Sequence, residues 1–266
     1  MNQSEKAARF RELHSRIFVI GNPWDAGSAR ILAGLGYQAL ATSSGASAGV
    51  LGRRDGAVRR EEALAHARAI VEAVDVPVSA DLENCFADEP ESGAETIRLA
   101  AGVGLAGGSI EDAKAGKLYD FELAAERVAA AARVARSLSF PFTLTARAEG
   151  FLRGQPDLDD VIRRLQAFEQ AGADVLMAPG LPDLDAVRKV CAALSRPFNF
   201  MAGIKGRSFN LAELEAAGVR RVSLATSLYR AAMSGLVAAA KEVKEQGSFG
   251  YLDRSLSTPE LNGYMR

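Results

Sequence analysis

Residues 76–83 read VPVSADLE: a proline opens a short β-prone run that ends on two acids, Asp81 and Glu83. The same change of character recurs in residues 107–112, GGSIED, and in residues 141–149, PFTLTARAE, where Glu111, Arg147 and Glu149 follow the strand-like part. Strands that carry charge only at their C-terminal ends suit a parallel sheet whose chemistry is gathered at one rim. Charges buried together are costly unless they are paired or bind a metal ion. Several carboxylates facing one arginine therefore match a hard cation together with an anionic substrate, and the chain reads as an enzyme.

Outward from these three segments, eight β-prone runs are expected: residues 16–20, 38–42, 76–81, 108–111, 142–147, 174–178, 198–201 and 221–225. They alternate with stretches of helical periodicity rich in Ala, Leu, Glu and Arg, at 60–73, 94–101, 121–136, 158–171, 183–194 and 211–217. Pro77, Pro141 and Pro197 introduce the third, fifth and seventh runs, and Gly36, Gly104, Gly172 and Gly218 precede the others after the first. Proline suits a strand start and glycine the left-handed residue that ends a helix. An open Rossmann-like sheet is the alternative, but no G-x-G-x-x-G follows the first strand. The expectation is an α/β fold, a single (β/α)8 TIM barrel over residues 1–246 with a tail over 247–266.

Composition narrows the function classes. A formal charge of −1 with acids and bases evenly mixed gives no reason to expect nucleic acid or a membrane surface as partner. The N-terminus begins polar, MNQSEKAARFRELHSR, and no apolar run is long enough to span a bilayer, so a cytoplasmic enzyme is expected. Cys85 and Cys191 lie far apart and suggest neither a disulfide framework nor a metal pair. His14 and His66 are the two histidines, both in helical pattern, which argues against histidine-based acid–base chemistry.

In a barrel of this kind the residues just past each strand supply the site. Asp81 and Glu83 are two residues apart and point to one side of an extended strand end, where Glu111 from the next strand can join them. These three are the candidate metal ligands; ion pairs with arginines, or helix caps, are the alternative. Arg147 is the one cation at a strand end and can clamp a carboxylate or stabilise a developing enolate. Ser43–Ala46 (SSGA) follows the second strand and offers backbone N–H groups to an anion, although plain turn chemistry explains it equally. Trp24 and Asp25 follow the first strand and Asn199 sits on the seventh. Cys85 reads as a packing residue, and neither Lys114 nor Lys205 lies mid-strand where burial would favour a Schiff base.

From about Phe18 to Leu228 the chain resembles the isocitrate lyase and phosphoenolpyruvate mutase superfamily. The segments NPWDAGSARIL, ATSSGAS with GRRDG, SADLEN, GGSIEDA, TARAEGF and AGADVLMAPG carry the likeness by their order and spacing. The resemblance implies a Mg²⁺-dependent barrel that makes or breaks a bond next to a 2-oxo acid through a pyruvate-type enolate. It implies Asp81 as direct metal ligand, with Asp55, Glu83 and Glu111 holding metal-bound waters. It further implies Ser44, Gly45 and Ala46 around the substrate carboxylate, Arg147 on its far side, and Trp24 with Asp25 at the border of the pocket. Members that cleave isocitrate or methylisocitrate carry a Lys-Lys/Arg-Cys-Gly-His gate after the fourth strand. Here residues 113–120 read AKAGKLYD, without cysteine or histidine, and Lys114 or Lys117 could serve only a shorter lid.

The function expected is a Mg²⁺-dependent lyase acting on a small 2-oxo or 2-hydroxy carboxylate, by oxaloacetate decarboxylation or by cleavage of a 2-alkylmalate. A C–P bond enzyme acting on phosphonopyruvate and a non-catalytic 2-oxo acid binding protein are the alternatives. Residues 228–246 and the tail match the region that relatives exchange between subunits, so a homodimer or homotetramer is expected by resemblance.

Overall fold

The computed structural model describes residues 1–207 and 209–265. Eight short strands, β1 (Phe18–Ile20), β2 (Leu40–Ala41), β3 (Val78–Ala80), β4 (Gly107–Glu111), β5 (Thr143–Arg147), β6 (Val175–Met177), β7 (Phe198–Met201) and β8 (Arg221–Ser223), fall on the expected runs. All pair in parallel, in the order β1–β8–β7–β6–β5–β4–β3–β2. A parallel bridge from Gly21 to Leu40 joins the two ends of that order. Asn22 strengthens the seam, its Oδ1 accepting from Leu224 N at 2.8 Å and its Nδ2 donating to Ala41 O at 3.0 Å. The (β/α)8 barrel is thereby closed.

The helices are α1 (Gln3–Leu13), α2 (Ala26–Gly34), α3 (Ser44–Val50), α4 (Arg60–Ala73), α5 (Pro90–Gly102), α6 (Phe121–Ser137), α7 (Leu158–Gln170), α8 (Leu184–Ala192), α9 (Leu211–Ala216), α10 (Ser227–Gln246) and α11 (Thr258–Tyr264). Alternation along the strands divides the barrel into two environments. Outward residues such as Val78, Ile110, Leu144, Leu176, Phe198 and Val222 are buried with Ile70, Ile97, Val128, Leu165 and Val187 of the helices in one apolar layer. Each such side chain contributes about 1.5–3 kcal/mol by leaving water. Inward residues are instead small or polar, among them Ser79, Ser109, Thr145, Asn199 and Ser223, and they line a cavity. Barrels are usually filled by layers of branched apolar side chains; this one is not.

The N-terminal end of the barrel is closed by α1, whose Phe10 and Leu13 pack with Phe18 and Ile20 in a second apolar cluster. A Cβ on Gly107 would lie 2.6 Å from Thr143 O and 2.9 Å from Phe10, so this plug seats only against glycine. At the other extreme of the chain α10 has no buried residue, and Leu236 and Val237 are more than half exposed. Phe249, Leu252, Leu256 and Leu261 of the tail are also exposed. The tail returns to its own barrel through α11, with Arg30 Nη1 donating to Met265 O at 3.0 Å. Arg266, the last residue of the tail, lies outside the described residues. Among the described residues no helix is long and apolar enough to cross a membrane.

Candidate active site

The C-terminal ends of β3, β4 and β5 bring Asp81, Glu111 and Arg147 together. Register places Glu111 directly opposite Arg147. Arg147 Nη1 lies 2.9 Å from Glu111 Oε1 and 3.1 Å from Asp81 Oδ1, while Nη2 lies 2.8 Å from Glu149 Oε1. Glu149 is fully buried behind it. Arg153, in a 3₁₀ turn over Gly150–Arg153, adds a second cation, 3.3 Å from Glu111 and 3.1 Å from Glu149. Reading strand ends alone misses Arg153; its spacing of four from Glu149 is the signal that could have found it.

Glu83 is aimed by a strained loop. Glu83, Cys85 and Phe86 all have positive φ, at 51°, 59° and 56°, a conformation costly for residues with a Cβ and kept only where the surroundings enforce it. Here the enforcing group is Arg127, buried in α6, whose guanidinium donates to the carbonyls of Asn84, Ala87 and Asp88. Thr96 Oγ1 donates to Cys85 O at 2.8 Å. Cys85 itself is buried and its thiol is pushed up to about 12 by burial, so it is inert packing.

Two adjoining cavities share Ser44 and Asp55 in their walls. The first, about 290 Å³, is lined by Ser43, Ser44, Gly45, Asp81, Arg147 and Asn199. The second, about 800 Å³, is lined by Asp55, Glu83, Glu111 and Arg153. It is covered in part by a small hairpin pairing Ala113–Lys114 with Lys117–Leu118, pinned where Lys114 Nζ meets Asp88 Oδ2 at 2.5 Å. The serine-rich segment is the first turn of α3, a helix whose run of Gly, Ala and Ser hides its periodicity. Ser44 N donates to Asp81 Oδ2 at 3.2 Å, and a Cβ on Gly45 would meet Thr226 at 2.9 Å and Asp55 at 3.3 Å.

Three expected residues stand away from the cavity walls. Ala46 is buried in α3. Asp25 is the N-cap of α2, accepting from Ser28 N at 2.7 Å in a capping box. Trp24 packs edge-on against Tyr229, ring centroids 5.6 Å apart, and its carbonyl meets His66 Nε2 at 2.7 Å. With Nδ1 3.0 Å from Ser47 Oγ, both nitrogens of His66 are engaged in holding this wall.

Asp55, Asp81, Glu83, Glu111 and Glu149 crowd five carboxylates around the guanidiniums of Arg147 and Arg153, with Arg59, Arg60, Glu61 and Lys114 also in the wall of the second cavity and Arg221 in that of the first. The crowding of carboxylates shows in proton affinity. Burial pushes Glu111 up to about 8 against the pull of Arg147, with Glu149 and Asp81 adding to it. Burial pushes Glu83 up to about 7, reinforced by Asp81 and Asp55. Burial also raises Asp81, but Arg147 and the N–H groups of Ser44 and Glu83 outweigh it and hold its carboxyl below the usual range. The donor set of Asp81, Glu83 and Glu111 is all oxygen, which fits Mg²⁺. Among the described residues no three acidic, histidine or cysteine side chains are already gathered at ligating distance, because Asp81 and Glu111 close on Arg147.

The family model described as phosphoenolpyruvate phosphomutase matches residues 10–244, nearly the whole barrel. The chain belongs to the phosphoenolpyruvate phosphomutase family, within the superfamily that its sequence resembles. This family member is 47% identical to a Burkholderia cenocepacia J2315 protein described only as a lyase/mutase, whose crystal structure superposes with a TM-score of 0.96, covering 98% of this chain and 96% of that one. It is 29% identical over 275 residues to 2,3-dimethylmalate lyase of Eubacterium barkeri, covering 97% of this chain and 93% of the relative. An uncharacterized Mycobacterium tuberculosis protein is 30% identical over 255 residues, covering 95% and 94%.

Proposed function

We propose that this phosphomutase-family protein is a Mg²⁺-dependent carbon–carbon lyase acting on a small 2-oxo or 2-hydroxy carboxylate through a pyruvate-type enolate. The observation that carries the reading is the contact of Arg147 with both Asp81 and Glu111 beside the cavity that Ser43, Ser44, Gly45 and Asn199 help to line. Asp81, Glu83 and Glu111 would hold Mg²⁺, with Asp55 beside them. When bound, the ion supplies positive charge next to the oxygens of the 2-oxo acid.

The protein's own groups do the remainder. Glu149 locks the Arg147 fork from behind through Nε and Nη2, so the guanidinium faces charge developing on a substrate oxygen without having to reorganise. Ser44 and Gly45 form the wall facing the substrate carboxylate. The hairpin over residues 113–118 carries no cysteine or histidine, which favours reactions that need no gate acid, such as loss of carbon dioxide from oxaloacetate, or a 2-alkylmalate cleavage of the kind named for the Eubacterium relative.

The exposed apolar face of α10 and the tail support a homodimer or homotetramer. The function is tested by measuring Mg²⁺-dependent formation of the 2-oxo acid product from oxaloacetate and from 2-alkylmalates, and of pyruvate or phosphoenolpyruvate from phosphonopyruvate. Product formation from either of the first two classes is expected. Turnover of phosphonopyruvate alone would replace the lyase by a C–P bond enzyme, and turnover of none would remove it.

A further inference from the structure

The cavity behind Arg147 continues down the barrel axis and ends on a second arginine. Arg221 opens β8 at the opposite end of the strands from the carboxylate ring, yet it lines the same cavity as Asp81 and Arg147. It is about 5% exposed. Nε donates to Asn199 Oδ1 at 2.7 Å, Nη2 donates to Thr145 Oγ1 at 3.0 Å, and Nη1 lies 3.3 Å from His14 Nε2. Every one of these partners is neutral. Burial drives its pKa down to about 9, still charged at neutral pH.

A guanidinium carries five N–H donors, and three bonds leave two without a protein acceptor among the described residues. Arg127 ties a strained loop through three carbonyls, and Arg164 is paired with Asp112 and Asp160; Arg221 has no carboxylate beside it among the described residues. A buried cation with no counter-charge is expensive unless an anion reaches it. The small inward residues around it, Ser79, Ser109 and Ser223, leave the room that a packed barrel would fill.

We propose that Arg221 is the anchor for a second, distal carboxylate of the substrate, and hence that the substrate is a dicarboxylate lying along the barrel axis; this rests on the reading of the site given above. Arg221 meets β5 at Thr145, two residues before Arg147 on the same face of that strand, so the two cations meet the strand at levels about 7 Å apart along it. Asn199 fixes the anchor: Nδ2 donates to Ser223 Oγ at 2.9 Å, which turns Oδ1 towards Arg221. A carboxylate held in this way keeps its charge. Anchoring therefore favours cleavage that leaves the distal carboxylate in a product, as in 2-alkylmalates, over its loss as carbon dioxide.

The test is calorimetry in saturating Mg²⁺ with two probes, 3,3-difluorooxaloacetate, which carries the distal carboxylate, and 3,3-difluoro-2-oxobutyrate, which replaces it by a methyl group. Wild type is expected to prefer the diacid by about 10- to 100-fold, the range for a charge-assisted hydrogen bond. Arg221→Met should abolish that preference while leaving 3,3-difluoro-2-oxobutyrate affinity unchanged, and Arg221→Lys should restore part of it. Should Arg221→Met fail to fold, Arg221→Gln, a neutral side chain that can still donate a hydrogen bond, should abolish the preference in the same way. Equal weakening of both probes, or an unchanged preference, would overturn the anchor and leave the lyase reading standing. Failure of wild type to bind either probe would remove the lyase reading, and the anchor with it.

Discussion

The guanidinium of Arg147, at the end of β5, reaches past β4 to the carboxylate of Asp81, at the end of β3, with Nη1 3.1 Å from Oδ1. The pair links the candidate substrate clamp to the candidate metal ligand, so loss of either member disturbs both. Arg147→Met should lower kcat about 10²–10³-fold, as removal of one preorganised donor does elsewhere. Arg147→Lys should rescue little of it, because a lysine cannot bridge Asp81, Glu111 and Glu149 at once. Steady-state formation of the 2-oxo acid product is the measurement; a variant within threefold of wild type would exclude Arg147 from the reaction.

The crowding of carboxylates predicts stabilisation by Mg²⁺. A ligand that binds only the folded state at 100 times its Kd adds about 2.7 kcal/mol. For a chain of this size that is a rise in Tm of roughly 5–10 °C. Asp81→Asn should reduce the rise sharply. A thermal melt that does not respond to millimolar Mg²⁺ would count against the metal site.

Much of the barrel was legible because proline and glycine mark the strand entries and because Asp81, Glu111 and Arg147 end their strands with charge. What was not legible depends on conformation and depth. Nothing in SADLENCF announces that Glu83, Cys85 and Phe86 take left-handed backbone, since the enforcing contact comes from Arg127, more than 40 residues on in sequence. Arg221 begins its strand, where nothing in the sequence separates a cation facing the barrel interior from one facing solvent. Asp25 was legible after all: DAGS is an acid with a serine three residues later, the pattern of the cap that it forms.

His14 makes stability depend on pH. Burial, with Arg221 adding to it, lowers its pKa from 6.5 to about 3. Between those values the unfolded chain binds a proton that the folded protein does not, so the contribution of His14 to stability rises with pH across that window and levels off above about 6.5, opposite in sign to those of Glu83 and Glu111, whose carboxyls are raised to about 7 and 8. At pH 5 the loss is about 2 kcal/mol relative to pH 7. His14→Gln, which retains a donor for Phe10 O and an acceptor for Arg221, should remove this term and so lower the stability change from pH 5 to pH 7 by about 2 kcal/mol relative to wild type. Urea midpoints between pH 5 and pH 7 measure it, and equal slopes for the two proteins would contradict the assignment.

Arg127 should act as a positioning residue for Glu83. Removing it leaves the carbonyls of Asn84, Ala87 and Asp88 without their donor and releases three left-handed residues. Arg127→Met should cost about 2–4 kcal/mol of stability. Because Glu83 is a candidate metal ligand, the variant that remains folded should also need more Mg²⁺ for half-maximal activity. A purely structural role would lower Tm without moving that Mg²⁺ requirement.

The bare face of α10 predicts assembly. Leu236 and Val237 are 61% and 52% exposed on a 20-residue helix that buries none of its side chains within the chain. A long apolar face left in water is costly and marks a contact surface. Light scattering should give at least a dimer for wild type, and Leu236→Glu combined with Val237→Glu should shift it towards monomer by placing two desolvated charges in the interface. Wild type that elutes as a monomer at micromolar concentration would refute the assembly, whereas a charged variant that stays oligomeric would move the interface to the apolar residues of the tail.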